Sequence, residues 1–304
     1  MLTEHFHNTQ KYTGHYSNDL RYVLSHQNTT AAFEEIKTWK GYSQTPLHSL
    51  DSLASEIGIK NIYYKDESSR FGLGSFKALG GTYGVLKFIQ HALKKEIGDE
   101  VSMKDIHAGN YSEQISKYTV TTATDGNHGR SVAFGAKLFG CKCQIYIHSE
   151  VSSGRQKAME DLEATVTRVS GNYDESLQIC IEDAGKNNWH VISDTSYEGY
   201  TKYPRYIMAG YNVMAEEIIA QIKDRALPTH IFLQGGVGSF PGAICGYFWE
   251  KFPGNNIKFV VVESEHAPCL IRSAQNNQMT SVNIKQETMM AGLSCGEPSL
   301  LGWE

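Results

Sequence analysis

From Thr119 to Asn276 the sequence alternates short apolar runs with segments of helical period, and this alternation restricts the fold more than any other feature. Strands are predicted at Thr119 to Thr124, Cys143 to Ile147, Thr165 to Val169, Trp189 to Ile192, His230 to Gln234 and Ile257 to Glu263. Helices are predicted at Gly126 to Phe139, Gly154 to Glu163, Tyr173 to Lys186, Tyr206 to Arg225, Ser239 to Phe252 and Pro268 to Asn276. Strands alternating with helices require parallel sheets covered by helices on both faces. The fold class is therefore α/β, with open parallel sheets. In such sheets ligands gather outside the carboxyl ends of the strands.

The part before Thr119 is less regular. Residues 1–45 are polar and aromatic, with a short helix predicted over Thr30 to Trp39. Leu47 to Glu56 reads as a second helix ending near Gly58, and Asn61 to Lys65 as a strand. A long helix is expected from about Phe76 to Lys95, and Gly98 to Tyr118 reads as an inserted surface loop. A chain of 304 residues suggests about two domains. The stretch Ser196 to Pro204 marks the return from a smaller domain, 81–202, to a larger one made of 1–80 and 203–304.

Three strand-to-helix turns, and a fourth loop, carry chemistry. Gly72, Gly74 and Ser75 lead into Lys77. Ser75 suits an N-cap, which puts Lys77 in the first turn, where the helix dipole disfavours a cation. A lysine with a reason to be neutral is a nucleophile and a base, although most lysines are surface residues. The second turn is Thr124-Asp125-Gly126-Asn127-His128-Gly129. Asn127 offers a donor and an acceptor suited to a phenolic oxygen, and Asp125 can also be a simple helix cap. The third is Gly235-Gly236-Val237-Gly238-Ser239, whose bare amides at a helix start suit a phosphate. Glu263 ends the next strand and imitates the acidic ribose contact of a dinucleotide site, so a nicotinamide reading stays open here. Asp194 follows a strand directly and should face the same edge, or close an Asx-turn.

Composition narrows the function classes. Net charge is -5 and no long basic run exists, which argues against nucleic acid. No run of ~18 apolar residues suggests a membrane span. The polar start lacks the apolar core of a signal peptide, so a cytoplasmic location is expected. The 6 cysteines are sparse and lie in core-like segments. Cys141-Lys142-Cys143 has no second pair, so no metal is expected.

A reactive lysine, an asparagine for a phenolate and an amide cradle for a phosphate together suit pyridoxal 5'-phosphate. Ser75-Phe76-Lys77, Asp125 to Gly129 and Gly235 to Ser239 occur in the order and spacing of fold-type II pyridoxal-phosphate enzymes. Within that group the chain is most similar to the diaminopropionate ammonia-lyases. Asp66 to Gly81, Thr124 to Arg130, Asp194 to Tyr200 and Met290 to Pro298 carry this resemblance.

The resemblance implies two domains with the active site between them. It also implies an α,β-elimination that turns D- or L-2,3-diaminopropionate into pyruvate and ammonia. Lys77 is then the cofactor lysine and the base on one face, with Asp125 the base on the other. Asp194 is a candidate for ammonium binding or acid–base work. A small amino-acid substrate and a homodimer are implied as partners. Members of the group run on past the position of Glu304, through a part that completes the larger domain and faces the pyridine nitrogen. A flank without that part would expose apolar surface. A serine or threonine dehydratase, and a remnant that only binds a ligand or partner, are the alternatives.

Overall fold

The computed structural model describes residues 4–9, 14–222, 226–286 and 288–304. Two short helices, α1 (Asn18–Val23) and α2 (His26–Ile36), precede an antiparallel pair, β1 (Leu47–Ser49) and β2 (Tyr63–Lys65), that brackets α3 (Asp51–Glu56). Next come α4 (Lys77–Ile97), α5 (Met103–His107) and α6 (Ser112–Ile115). The alternating part follows: β3 (Thr119–Ala123), α7 (Asn127–Phe139), β4 (Lys142–Ile147), α8 (Ser153–Glu160), β5 (Thr165–Arg168), α9 (Tyr173–Asn187) and β6 (His190–Val191). The chain ends with α10 (Lys202–Ile222), β7 (His230–Gln234), α11 (Ser239–Lys251), β8 (Lys258–Val262), α12 (Cys269–Asn276) and α13 (Leu300–Trp303). The predicted end of the long helix, 223–225, lies outside the described residues.

Strands β3 to β6 form a parallel sheet in the order β5-β4-β3-β6, and β7 pairs in parallel with β8. The buried runs of β3 and β4 explain their central places, since a strand covered on both faces needs no polar alternation. Phe232, Val261 and Val262 are exposed, so the β7–β8 pair is covered less fully than the four-stranded sheet.

Helix α4 lies against both α7 and α10 and is buried along most of its first half. Small residues allow this. A Cβ on Gly210 of α10 would fall 2.6 Å from the Leu79 carbonyl oxygen, and one on Gly80 would fall 2.8 Å from that of Ile207. Both helices therefore approach backbone to backbone, and this fixes the start of α4.

Two expectations are corrected. Leu47 to Ser49 is a strand, because these residues find a partner in Tyr63 to Lys65 and only Asp51–Glu56 is helical. Propensity within one window does not see that distant partner. The stretch 98–118 is not a surface loop. Ser102 caps α5 by accepting from the Asp105 amide, and Val101, Ile106 and Ile115 are buried against the core.

The loop between β2 and α4 is held by buried charge. Arg70 grips Glu217 of α10 through two hydrogen bonds of 2.8 Å. It makes two more of 2.8 Å to Glu67. Lys65 donates to Glu217 at 2.7 Å and Tyr42 donates to it at 2.8 Å. Two cations and two carboxylates balance, as buried charges must. Removing one partner strands the others, so Glu217→Gln should cost about 3–5 kcal/mol of stability. Equilibrium urea unfolding checks this, and a loss under about 1 kcal/mol would contradict the buried network.

Candidate active site

The parallel register brings the ends of separate strands to one edge. Asp125 follows β3, His148 follows β4 and Asp194 follows β6 in the four-stranded sheet, and Gly235 follows β7 of the separate two-stranded sheet. Lys77 opens α4 opposite them. Lys77, Asp125, Asn127, Asp194, Gly235, Gly236, Val237, Gly238 and Ser239 all line a single cleft of about 1260 Å³.

Lys77 follows a turn that uses left-handed backbone at Gly72 (φ 71°) and Gly74 (φ 68°), which glycine adopts without strain. The N-cap position falls on Phe76, one residue later than expected and without a side-chain cap bond, while the Ser75 hydroxyl accepts from the Lys77 amide at 3.2 Å. The Lys77 ammonium makes an ion pair with Asp194 Oδ2. Its charge also lies 5.7 Å from the Phe76 ring centre and 5.6 Å from that of Tyr211. Burial by itself would lower the lysine's pKa, but the Asp194 carboxylate outweighs it and holds the amine above its ordinary range. The expectation of a neutral lysine is thus corrected: the helix dipole is opposed by a full negative charge in direct contact.

Asp194 is the hub of this cluster. Its backbone carbonyl accepts from Ser239 Oγ at 2.8 Å, tying the β6 edge to the start of α11. Tyr211 OH donates to Oδ2 at 3.5 Å, and His128 Nδ1 lies 3.8 Å from it. Burial pushes the Asp194 carboxyl up, and the neighbouring His128 and Lys77 reverse this and hold it below the usual carboxylate range. His128 Nε2 donates to the Ile192 carbonyl at 2.8 Å, and burial keeps the ring below its ordinary pKa.

Asp125 Oδ1 accepts from His148 Nε2 at 2.8 Å. Asn127 opens α7 beside it and is exposed to the cleft. Across the cleft, a Cβ on Gly235 would fall 2.6 Å from Glu263 Cγ, so only glycine fits there. Gly238 has φ 98° and ends the turn without a capping side chain. Among the described residues, the amides of Gly236, Val237 and Gly238 donate to no acceptor. These free amides at the start of a 13-residue helix suit a phosphate. Amine, amide side chain and anion cradle in one cleft fit pyridoxal phosphate. They do not fit a dinucleotide, because both carboxylate oxygens of Glu263 accept from the Leu270 and Ile271 amides at 2.8 Å and cap α12 instead of reaching a ribose.

A profile of the family described as pyridoxal-phosphate dependent enzyme matches residues 38–304. The chain belongs to that family. This pyridoxal-phosphate dependent enzyme is 39% identical over 265 residues to diaminopropionate ammonia-lyase of Escherichia coli K12, an alignment covering 87% of this chain and 65% of that protein. The chain thus spans about two thirds of that relative's length. A crystal structure of the E. coli ammonia lyase in complex with an aminoacrylate-PLP azomethine reaction intermediate superposes with TM-score 0.85 at 34% identity. That match covers 97% of this chain and 72% of the other. A second, in complex with D-serine, gives TM-score 0.80 at 34% identity and covers 92% and 70%. The fold is that of the fold-type II enzymes, and pyridoxal 5'-phosphate is the cofactor.

Sequence reading missed His148, Tyr211, Tyr173 and Cys295, which the structure places in or against the cluster. His148, the first residue past β4, could have been found by its place at a strand's carboxyl end. Tyr211 looks like one more apolar position of α10.

The ion pair makes stability depend on pH in a defined sense. Asp194 lies below its ordinary 3.8, so its contribution is complete above about 4 and fades as pH falls through the folded value. Lys77 lies above its ordinary 10.5, so its contribution is complete below that and fades at higher pH. The stability difference between wild type and Asp194→Asn should be flat from about pH 5 to 9 and shrink toward acid. Urea unfolding at several pH values checks it, and a difference that grows on acidification contradicts it.

Proposed function

We propose that this enzyme carries out the α,β-elimination of 2,3-diaminopropionate, giving pyruvate and two molecules of ammonia. The observation that carries this reading is the placement of two carboxylates, Asp194 and Asp125, at the cleft edge that holds Lys77. A substrate with two amino groups needs acidic partners, and the resemblance to diaminopropionate ammonia-lyase supports the same choice.

The bound cofactor supplies an aldehyde for an amine and a ring that draws electrons from the substrate's α-carbon. The rest is done by the chain. The amides of Gly236, Val237 and Gly238, with Ser239, would hold the phosphate. Asn127 would bond the phenolic oxygen. Lys77 Nζ holds the cofactor and moves a proton on one face of the substrate, and Asp125 removes it on the opposite face, which admits both isomers. Asp194 already pairs with an ammonium; when Lys77 gives way, the same carboxylate receives the substrate's β-ammonium and keeps it protonated as a leaving group. Aminoacrylate then hydrolyses to pyruvate and the second ammonia.

The division into 81–202 and 1–80 plus 203–304 belongs to this proposal, supported by the cleft between the β3–β6 edge and the β7–α11 turn. So does a cytoplasmic setting, supported by cysteines that sit in or against packed elements. A homodimer belongs to the proposal as well, and sedimentation measures it.

Ammonia and pyruvate should appear faster from D- or L-diaminopropionate than from D- or L-serine. Faster turnover of serine would overturn the substrate assignment. Lys77→Ala should lower turnover by at least about 10³-fold. Asp125→Asn should reduce turnover of the D isomer more than the L. Equal loss on both isomers would make Asp125 a binding group rather than a base.

A further inference from the structure

Asp125 and His148 reach the cleft edge by the same device. Strands β3 and β4 run parallel with Ala123 opposite Tyr146, so the residues just past each strand emerge side by side. His148 is buried, 8% exposed, and lines the cleft. Its Nε2 lies 2.8 Å from Asp125 Oδ1.

The other ring nitrogen settles which group donates. Nδ1 lies 3.3 Å from the Glu150 amide nitrogen. An amide can only donate, so Nδ1 accepts and the ring proton sits on Nε2. Nε2–H therefore donates to the Asp125 carboxylate. The ring's own position is fixed through its backbone: Arg168 Nη1 donates to the carbonyls of His148, Ser149 and Val151 at 3.2, 2.8 and 2.7 Å. Arg155 Nη1 donates to the Asp125 carbonyl at 3.2 Å. Oδ2 of Asp125 has no hydrogen-bond partner among the described residues.

We propose that His148 is a positioning residue for Asp125. It engages Oδ1, stops the carboxylate from turning, and leaves Oδ2 as the oxygen that takes the proton from the substrate's D face. This rests on the reading of Asp125 as the base of a diaminopropionate lyase. A buried hydrogen bond to a charged acceptor, once removed, corresponds to a tenfold to hundredfold effect on the order of magnitude. Lys77 works from the other face and does not use this bond, so the effect should separate the isomers.

The test compares His148→Leu and His148→Gln in the chain loaded with pyridoxal phosphate, on both isomers. His148→Leu should lower the D-to-L ratio of kcat about tenfold to a hundredfold, with KM for the D isomer changing much less. His148→Gln, whose amide N–H can replace Nε2–H, should recover most of the ratio. Equal loss on both isomers, or a glutamine variant no better than leucine, overturns the proposal. Nitrogen NMR of the His148 ring gives a readout that needs no turnover. It should show the Nε2–H tautomer, with shifts that move in Asp125→Ala. An Nδ1–H tautomer, or shifts indifferent to Asp125→Ala, overturns the proposal too. A chain that turns over neither isomer removes the substrate reading, and the ring spectrum then decides the Asp125–His148 geometry by itself.

Discussion

The half-buried ion pair between Lys77 and Asp194 joins the elements that make the site. Lys77 stands at the start of α4, Asp194 on the loop after β6, Tyr211 on α10 and Ser239 at the start of α11. Taking both charges partly out of water has a cost, and their attraction offsets it only with good geometry and further hydrogen bonds. Asp194 has those bonds, and the aromatic faces of Phe76 and Tyr211 lie against the ammonium. The pair holds the lysine charged until an incoming amine or aldehyde takes over one side of the contact. Under the proposed reaction, the same carboxylate would then receive the second ammonium of the substrate.

That arrangement depends on a second charged network away from the cleft. Arg70, Glu217, Glu67 and Lys65 fasten the loop before Lys77 to α10. Gly80 and Gly210 bring α4 and α10 into backbone contact one turn further on. Loop and helix are thus pinned on either side of Lys77, and its amine is delivered to Asp194 by backbone that has little freedom. Sites held this way keep the geometry that proton transfer needs.

Much of this was legible in the sequence because strand-to-helix turns are local. Glycines, a cap and a polar residue lie within ten positions of Lys77, Asn127 and Gly236, and the parallel order of strands follows from alternation alone. The missed features depend on partners far along the chain. Leu47 to Ser49 became a strand only through Tyr63 to Lys65. The neutral state expected of Lys77 was reversed by Asp194, 117 residues away. Glu263 looked like a ribose contact until α12 folded back and used both of its oxygens. His148 took its meaning from a register that places it beside Asp125.

We propose that Lys77 is the residue that holds the cofactor. Borohydride reduction of the chain loaded with pyridoxal phosphate, followed by peptide mapping in a mass spectrometer, tests it directly. One pyridoxyl-phosphate label is expected, carried by the peptide containing Lys77. A label on another lysine, or none after reduction, would contradict it.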